Sequence, residues 1–285
     1  MATFYNQATL SYNNTVTNSN IVTGEIVETL SIVKTALDPT YTADDILAYV
    51  ISIVNTGDTA YTGLTVTDDL GAYVFDRKRK LVPLAYVEGS VHYYVDGVLQ
   101  PAPEVTAEDD TVVFSGITVP ANGNTLIIYE AEVTAFAPLG EDQSITNTAT
   151  LGGTCIAEEL SASATTRAST EPELTISKSI SPSEVEKNGT LTYSFLIRNS
   201  GADAADASDN VSLTDIFDPV LTDISVTLDG VPFPESNYSY NETTGRFVTD
   251  PGTITVPAAD FVQNHRTGEW VSNPGSTVLV ISGTV

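Results

Sequence analysis

Lysine is scarce in this 285-residue chain, five in all, and two of the five interrupt segments that otherwise read as apolar strands. They are Lys34 in "LSIVKTA" (Leu30–Ala36) and Lys178 in "LTISKSI" (Leu174–Ile180). Side chains alternate across a strand, so Leu30, Ile32 and Lys34 share one face, as do Leu174, Ile176 and Lys178. That face is the one a sheet buries, and an unpaired ammonium is costly there. Each lysine therefore needs a partner. A buried ion pair with an aspartate, Asp68 in "VTDDL" or Asp215 in "LTDIF", would satisfy it without further chemistry.

The remaining reactive residues are dispersed. His92 and His265 fall in different halves of the chain, and neither has the Ser and Asp context of a hydrolase triad. Cys155 is the one cysteine, so no intramolecular disulfide can form, and it reads as a bystander thiol. "AEDDT" (Ala107–Thr111) and "DAADASDN" (Asp203–Asn210) are acidic, but lack the ligand spacing of a calcium loop and read as solvated. No enzyme, cofactor or metal site is expected. "DRKRK" (Asp76–Lys80) is the one cationic run: an exposed loop after "DDLGAYVF", or a docking patch for the acidic surface of a neighbour.

Composition narrows the class. With 37 acidic and 11 basic residues the formal net charge is −26, the wrong sign for nucleic acid or an anionic membrane surface. No apolar run is long enough to cross a bilayer. Met1-Ala-Thr-Phe-Tyr-Asn has neither the basic nor the apolar region of a secretory signal.

The elements that must position the lysines are strands. "ILAYVISIVN" (Ile46–Asn55), "TVVFSGITV" (Thr111–Val119) and "TLIIYEAEVTAF" (Thr125–Phe136) are β-branched and aromatic, and turn residues punctuate them. Short pieces near Asp44 and Ala258 are ambiguous. The expected fold is all-β, two tandem immunoglobulin-like β-sandwiches, because the chain repeats itself. Leu174–Gly201 matches Leu30–Gly57 without a gap, and both Lys34–Asn55 and Lys178–Asn199 span 21 residues. Further on, "YYVDGVL" (Tyr93–Leu99) answers "VTLDGVP" (Val226–Pro232), and "VPANGNTLIIYEAEV" answers "VP" at Val256–Pro257 plus the final "PGSTVLVISGTV", with an insertion between.

The copies differ at their ends. The first continues into "SITNTATL" and "CIAEELSASATTRA", a closing hairpin; the second stops at Val285. A near copy of the missing strand stands at the other end: Tyr5–Leu10 aligns with Thr146–Leu151, and Ser19–Glu28 takes the place of the second closing strand. The expected organisation is a donor-strand extension (1–28), a complete sandwich (29–170) and an incomplete acceptor sandwich (171–285). Phe4, Asn6, Ala8 and Leu10 would form the inserted face. A ten-residue segment reaches only about 33 Å when extended, so exchange between chains is easier than folding back. Such a head-to-tail contact does not close and propagates into a filament.

The set "K…Y-I-V-N-TG…VTDDL…ITNTATL" resembles the bacterial conserved-repeat family called domain of unknown function 11, immunoglobulin-like modules of prokaryotic surface proteins. Short members without a leader resemble subunits of clostridial endospore appendages, which implies assembly in the mother cell and release on lysis. The same motifs are similar to those of Gram-positive adhesin domains that form intramolecular isopeptide bonds. That resemblance implies roles for Lys34, Asp68 and Asn147 within the first sandwich. In the second it implies Lys178, Asp215 and Asn6 of the next subunit. The lysine amine would be neutralised by burial and attack the Asn side-chain amide; the protonated Asp would donate to the amide carbonyl and shuttle the proton, expelling ammonia. A plain Lys–Asp ion pair remains the alternative in both.

The expected protein is thus a non-enzymatic subunit of an extracellular filament or spore surface whose partner is itself, without nucleic acid or membrane insertion. The rival reading is a monomeric surface adhesin or glycan-binding module closed by its own N-terminus.

Overall fold

The computed structural model describes residues 2–12, 15–26 and 29–285. Four short strands come first: β1 (Ala2–Asn6), β2 (Thr9–Tyr12), β3 (Thr15–Asn18) and β4 (Val22–Ile26). The expected second closing segment runs on to Val27 and Glu28, which lie outside the described residues. Next come β5 (Leu30–Ala36), β6 (Thr40–Tyr41), β7 (Ile46–Asn55), β8 (Tyr61–Asp68), β9 (Tyr73–Phe75), β10 (Arg79–Leu81) and β11 (Leu84–Tyr86). They are followed by β12 (His92–Val95), β13 (Val98–Gln100), β14 (Glu104–Ala107), β15 (Val112–Val119), β16 (Asn124–Val133), β17 (Ser144–Gly152) and β18 (Leu160–Ala168). The remainder holds β19 (Leu174–Ser181), β20 (Thr190–Asn199), β21 (Thr214–Ile216), β22 (Thr222–Leu228), β23 (Val231–Pro232), β24 (Tyr238–Asn241), β25 (Arg246–Thr249), β26 (Asp260–Gln263), β27 (Trp270–Asn273) and β28 (Gly275–Thr284). The fold is all-β, as the strand signals predict; the ambiguous piece at Asp44 is a turn, and β26 begins just after Ala258.

Two immunoglobulin-like sandwiches follow one another. In the first, the sheet β13-β12-β16-β7-β5 faces the sheet β14-β15-β8-β17-β18-β6. In the second, β23-β22-β28-β20-β19 repeats the first sheet strand for strand, but the facing sheet is only β21-β25-β24. Tyr193, Phe195 and Ile197 alternate inward along β20 as Tyr49, Ile51 and Ile53 do along β7.

Local chemistry explains the parallels. Both β12–β13 and β22–β23 turn on Asp-Gly with both residues at positive φ (Asp96 47°, Gly97 76°; Asp229 49°, Gly230 78°). That is the two-residue turn whose twist matches a hairpin, and it demands this residue pair. Asn55 and Asn199, both buried, each accept the backbone N–H two residues on (Gly57, Gly201, both 2.9 Å) and donate to a carbonyl four residues on. The "N-T-G" and "N-S-G" corners are therefore one device used twice.

The insertion in the second copy is the hairpin β26–β27, and it leans on the first sandwich. Trp270 N–H donates to the Ala135 carbonyl (2.8 Å), and Gln263 Nε2 to the Tyr73 hydroxyl (3.0 Å). "DRKRK" supplies the exposed turn of the β9–β10 hairpin (Asp76–Lys78) and the first two residues of β10. Arg79 pairs with Asp76 and donates to the Arg266 carbonyl, and Lys80 pairs with Asp110.

Candidate functional site

In the first sandwich β5, β8, β16 and β17 carry Lys34, Asp68, Tyr129 and Asn147 into one buried cluster. β17 is held in place by Asp69: its carboxylate accepts Thr148 N–H (2.8 Å), and its own N–H donates to the Thr148 carbonyl (3.0 Å). Ala149 lies opposite Asp68 in this pairing, so Asn147, two residues earlier, projects from the same face.

Lys34 forms an ion pair with Asp68, and neither side chain is exposed. The ammonium lies 5.0 Å from the centre of the Tyr49 ring and 5.8 Å from that of Tyr129. Burial pushes the Lys34 pKa down, against the pull of Asp68 and, more weakly, Asp69. Asp68 also accepts the Leu70 N–H (3.1 Å) and the Tyr129 hydroxyl (2.7 Å). Asn147 Nδ2 in turn donates to the Tyr129 oxygen (3.0 Å). Around this cluster, among the described residues, three buried side-chain atoms lack a hydrogen-bond partner: Asn147 Oδ1, Tyr49 Oη and Thr166 Oγ1. Tyr49 neighbours both Asn147 and Thr166, and burial raises its pKa to about 12.

Lys34, Asp68 and Asn147 are brought together, but one expected contact is not made. Instead of donating to the Asn147 carbonyl, Asp68 spends its oxygens on Lys34, Tyr129 and Leu70 N–H, and Tyr129 stands between it and Asn147. Tyr49, Tyr129, Asp69 and Thr166 were not legible as site residues. A tyrosine at an inward strand position reads as core, and only the doubled Asp of "VTDDL" hinted at Asp69.

The second sandwich repeats only part of this. Lys178 pairs with Asp215 and lies 4.6 Å from the Tyr193 ring centre, with Phe195 and Phe217 beyond. Yet 41% of the Lys178 side chain is exposed, against 0% for Lys34. Strand alternation predicts a buried face for both lysines; Lys178 departs from it because, among the described residues, no strand covers β19. Every residue of β19 is exposed, including Leu174 (38%) and Ile176 (59%), whereas its counterpart Leu30 is buried. In the first sandwich β17 pairs with β8, and β18 packs along β5. Among the described residues β21, the counterpart of β8, pairs only with β25.

The donor candidates lie in a free hairpin. Among the described residues β1 pairs with β4 alone and β2 with β3 alone, so the N-terminus does not close its own second sandwich. Asn6 sits opposite Val22, much as Asn147 sits opposite Ala164. Phe4, Asn6, Ala8 and Leu10 are all exposed. They do not form one continuous strand face. The pairing passes from Asn6–Val22 to Thr9–Asn18, so two residues face three across a bulge that the Ser19 side chain and backbone stitch to Ala8.

The remaining candidates stay apart. His92 is exposed and bonds the Ser90 carbonyl, His265 lies exposed in the β26–β27 turn, and Cys155 is exposed. Among the described residues no group of His, Cys, Asp and Glu could hold a metal ion, and no helix is long and apolar enough to cross a membrane.

No protein family and no curated protein matches the chain. Among solved structures it is similar to BcpA, the major pilin subunit of Bacillus cereus (TM-score 0.36, 13% identity, 72% of this chain and 69% of that one). It is also similar to the pilus backbone RrgB of Streptococcus pneumoniae (0.34, 12%, 86% and 55%). A third is the collagen-binding subdomain of the Enterococcus faecalis surface protein ACE (0.31, 8%, 50% and 99%). Likeness at this level carries no argument about function.

Proposed function

We infer that the chain is a structural subunit that polymerises head to tail, the N-terminal hairpin of one copy completing the second sandwich of the next. One observation carries this reading: a free hairpin stands in the same molecule as a sandwich open along β21 and β19, where the first sandwich holds β17–β18. The sequence match of Tyr5–Leu10 to Thr146–Leu151 tells which strand goes where. By that match Ala8–Leu10, leading into β2, adds to β21 as Ala149–Leu151 of β17 adds to β8, and the strands paired with β1 and β2 cover β19 as β18 covers β5. Strand addition supplies main-chain hydrogen bonds. Covering Leu174, Ile176 and Ile180 returns on the order of 1 kcal/mol each for their exposed parts. The same docking brings Asn6 to Lys178 and Asp215. There, and at Lys34, Asp68 and Asn147, an isopeptide bond can lock the fold, the first between subunits and the second within one. The filament functions outside the cell or on a spore surface.

Negative-stain electron microscopy tests this. The full chain should form long uniform filaments, and deletion of residues 2–26 should leave monomers. Filaments from the deletion would remove the hairpin from the assembly, and two-lobed monomers from the full chain would favour the adhesin reading.

A further inference from the structure

We propose that Tyr129 is the proton carrier for amide formation in the first sandwich, taking the proton that Asp68 receives from Lys34 and delivering it to Asn147 Nδ2, while the Tyr49 hydroxyl donates to Asn147 Oδ1. This rests on the bond-forming reading above and goes beyond it, since that reading has Asp68 act on the amide directly. The hydrogen bonds run in series: Lys34 Nζ to Asp68 Oδ2, Tyr129 Oη to the same oxygen (2.7 Å), and Asn147 Nδ2 to Tyr129 Oη (3.0 Å). Asp68 has no hydrogen bond to Asn147, so its route to the amide passes through the phenol.

The step balances. Lys34 ammonium gives one proton to the Asp68 carboxylate, and the neutral amine attacks Asn147 Cγ. As the Cγ–Nδ2 bond breaks, Tyr129 gives its proton to Nδ2 and regains one from Asp68. The amine nitrogen loses its second proton to Asp68. Ammonium, carboxylate and primary amide have become secondary amide, carboxylic acid and ammonia. Tyr129 is never left as a phenolate, in keeping with a buried hydroxyl that holds its proton. Charge developing on Oδ1 meets a site with no donor yet in place, and Tyr49, the neighbour of Asn147, is a buried hydroxyl without a hydrogen-bond partner.

The second sandwich supplies the contrast. Strand register places Tyr193 where the first sandwich has Tyr49, but the residue across from it on β28 is Ile281, where β16 has Tyr129. The relay is missing there, so the Lys178–Asn6 bond forms more slowly than the Lys34–Asn147 bond.

The test is peptide mapping by mass spectrometry on the full chain, scoring the Lys34–Asn147 linked peptide, lighter by the ammonia lost, in fresh and aged protein. The wild type should be linked when isolated. Tyr129→Phe should link at least about 100-fold more slowly, Tyr49→Phe should also be slowed, and Tyr41→Phe, a buried tyrosine outside the cluster, should match the wild type. A linked wild type with Tyr129→Phe equally fast overturns the relay and leaves the bond intact; an unlinked wild type overturns the bond-forming reading itself and the relay with it. Should Tyr129→Phe fail to fold, Ile281→Tyr with Phe217→Leu decides: it should speed the Lys178–Asn6 cross-link in filaments, and no change would refute the relay.

Discussion

The two Lys–Asp pairs of this molecule are built on nearly the same local sequence, yet water sees them differently. Lys34 and Asp68 are sealed beneath β17 and β18, whereas Lys178 keeps 41% of its side chain exposed. An exposed ion pair contributes about 0–1 kcal/mol, while a buried one has lost the hydration of both ions and depends on its geometry. Burial is therefore conferred by the hairpin that covers the lysine and not by the strand that bears it. In the second sandwich docking would have to desolvate Lys178 and Asp215, a penalty set against the apolar area of β19. Amide formation removes that penalty, because it leaves no charge on either group. A bond of this kind suits a junction that must be soluble when open and irreversible when closed.

The sharpest way to break the comparison is to spoil the uncovered strand alone. Ile176→Asp puts a charge where 59% of the residue is already exposed. Unassembled chains should lose no more than about 0.5 kcal/mol, as at other exposed sites, but filaments should vanish in the microscope. Filaments of normal length would mean that β19 is not an interface. Next in size is the pair of truncations at the lysines. Measured in the Asn147→Ala chain, which cannot link, Lys34→Ala strands a buried carboxylate and should cost about 3–5 kcal/mol in denaturant unfolding. Lys178→Ala should cost unassembled chains about 1 kcal/mol or less. Equal losses would show that the exposure of Lys178 does not matter.

Much of this contrast is legible in the sequence, and the part that is not has a physical reason. The repeat fixes Lys34 against Lys178 and Asp68 against Asp215, because strand alternation and the Asp-Gly and Asn-x-Gly corners are local properties. The exposure of Lys178 is not local: "LTISK" and "LSIVK" alternate identically, and only the neighbouring strand decides which lysine is dry. Tyr129 is illegible for a different reason. A tyrosine and an isoleucine fill an inward strand position equally well, so Tyr129 against Ile281 looks like a core variation until the hydroxyl is seen bonded to both Asp68 and Asn147. The hairpin bulge at Gln7 and Ala8 likewise breaks a face that period-two reading makes continuous.

The smallest effect sharpens the comparison from the tyrosines. Burial raises Tyr49 from an ordinary 10.0 to about 12, and Tyr129 well above its usual value. Between pH 10 and 12 the unfolded chain has released protons that the folded first sandwich retains, so stability falls as pH rises. Tyr49 alone accounts for roughly 3 kcal/mol over that window. The tyrosines of the second sandwich, Tyr193 among them, shift the same way, so both calorimetric transitions should move down, the first sandwich's further. Lys34 has the opposite sign. Its pKa is lowered, so an unlinked chain gains stability as pH rises through that value towards the ordinary 10.5. A linked Lys34 is an amide and does not titrate. Calorimetry from pH 8 to 12 should therefore show a fall alone in linked protein, and a rise before the fall in Asn147→Ala, which cannot link. Identical profiles would mean that Lys34 carries its proton in both.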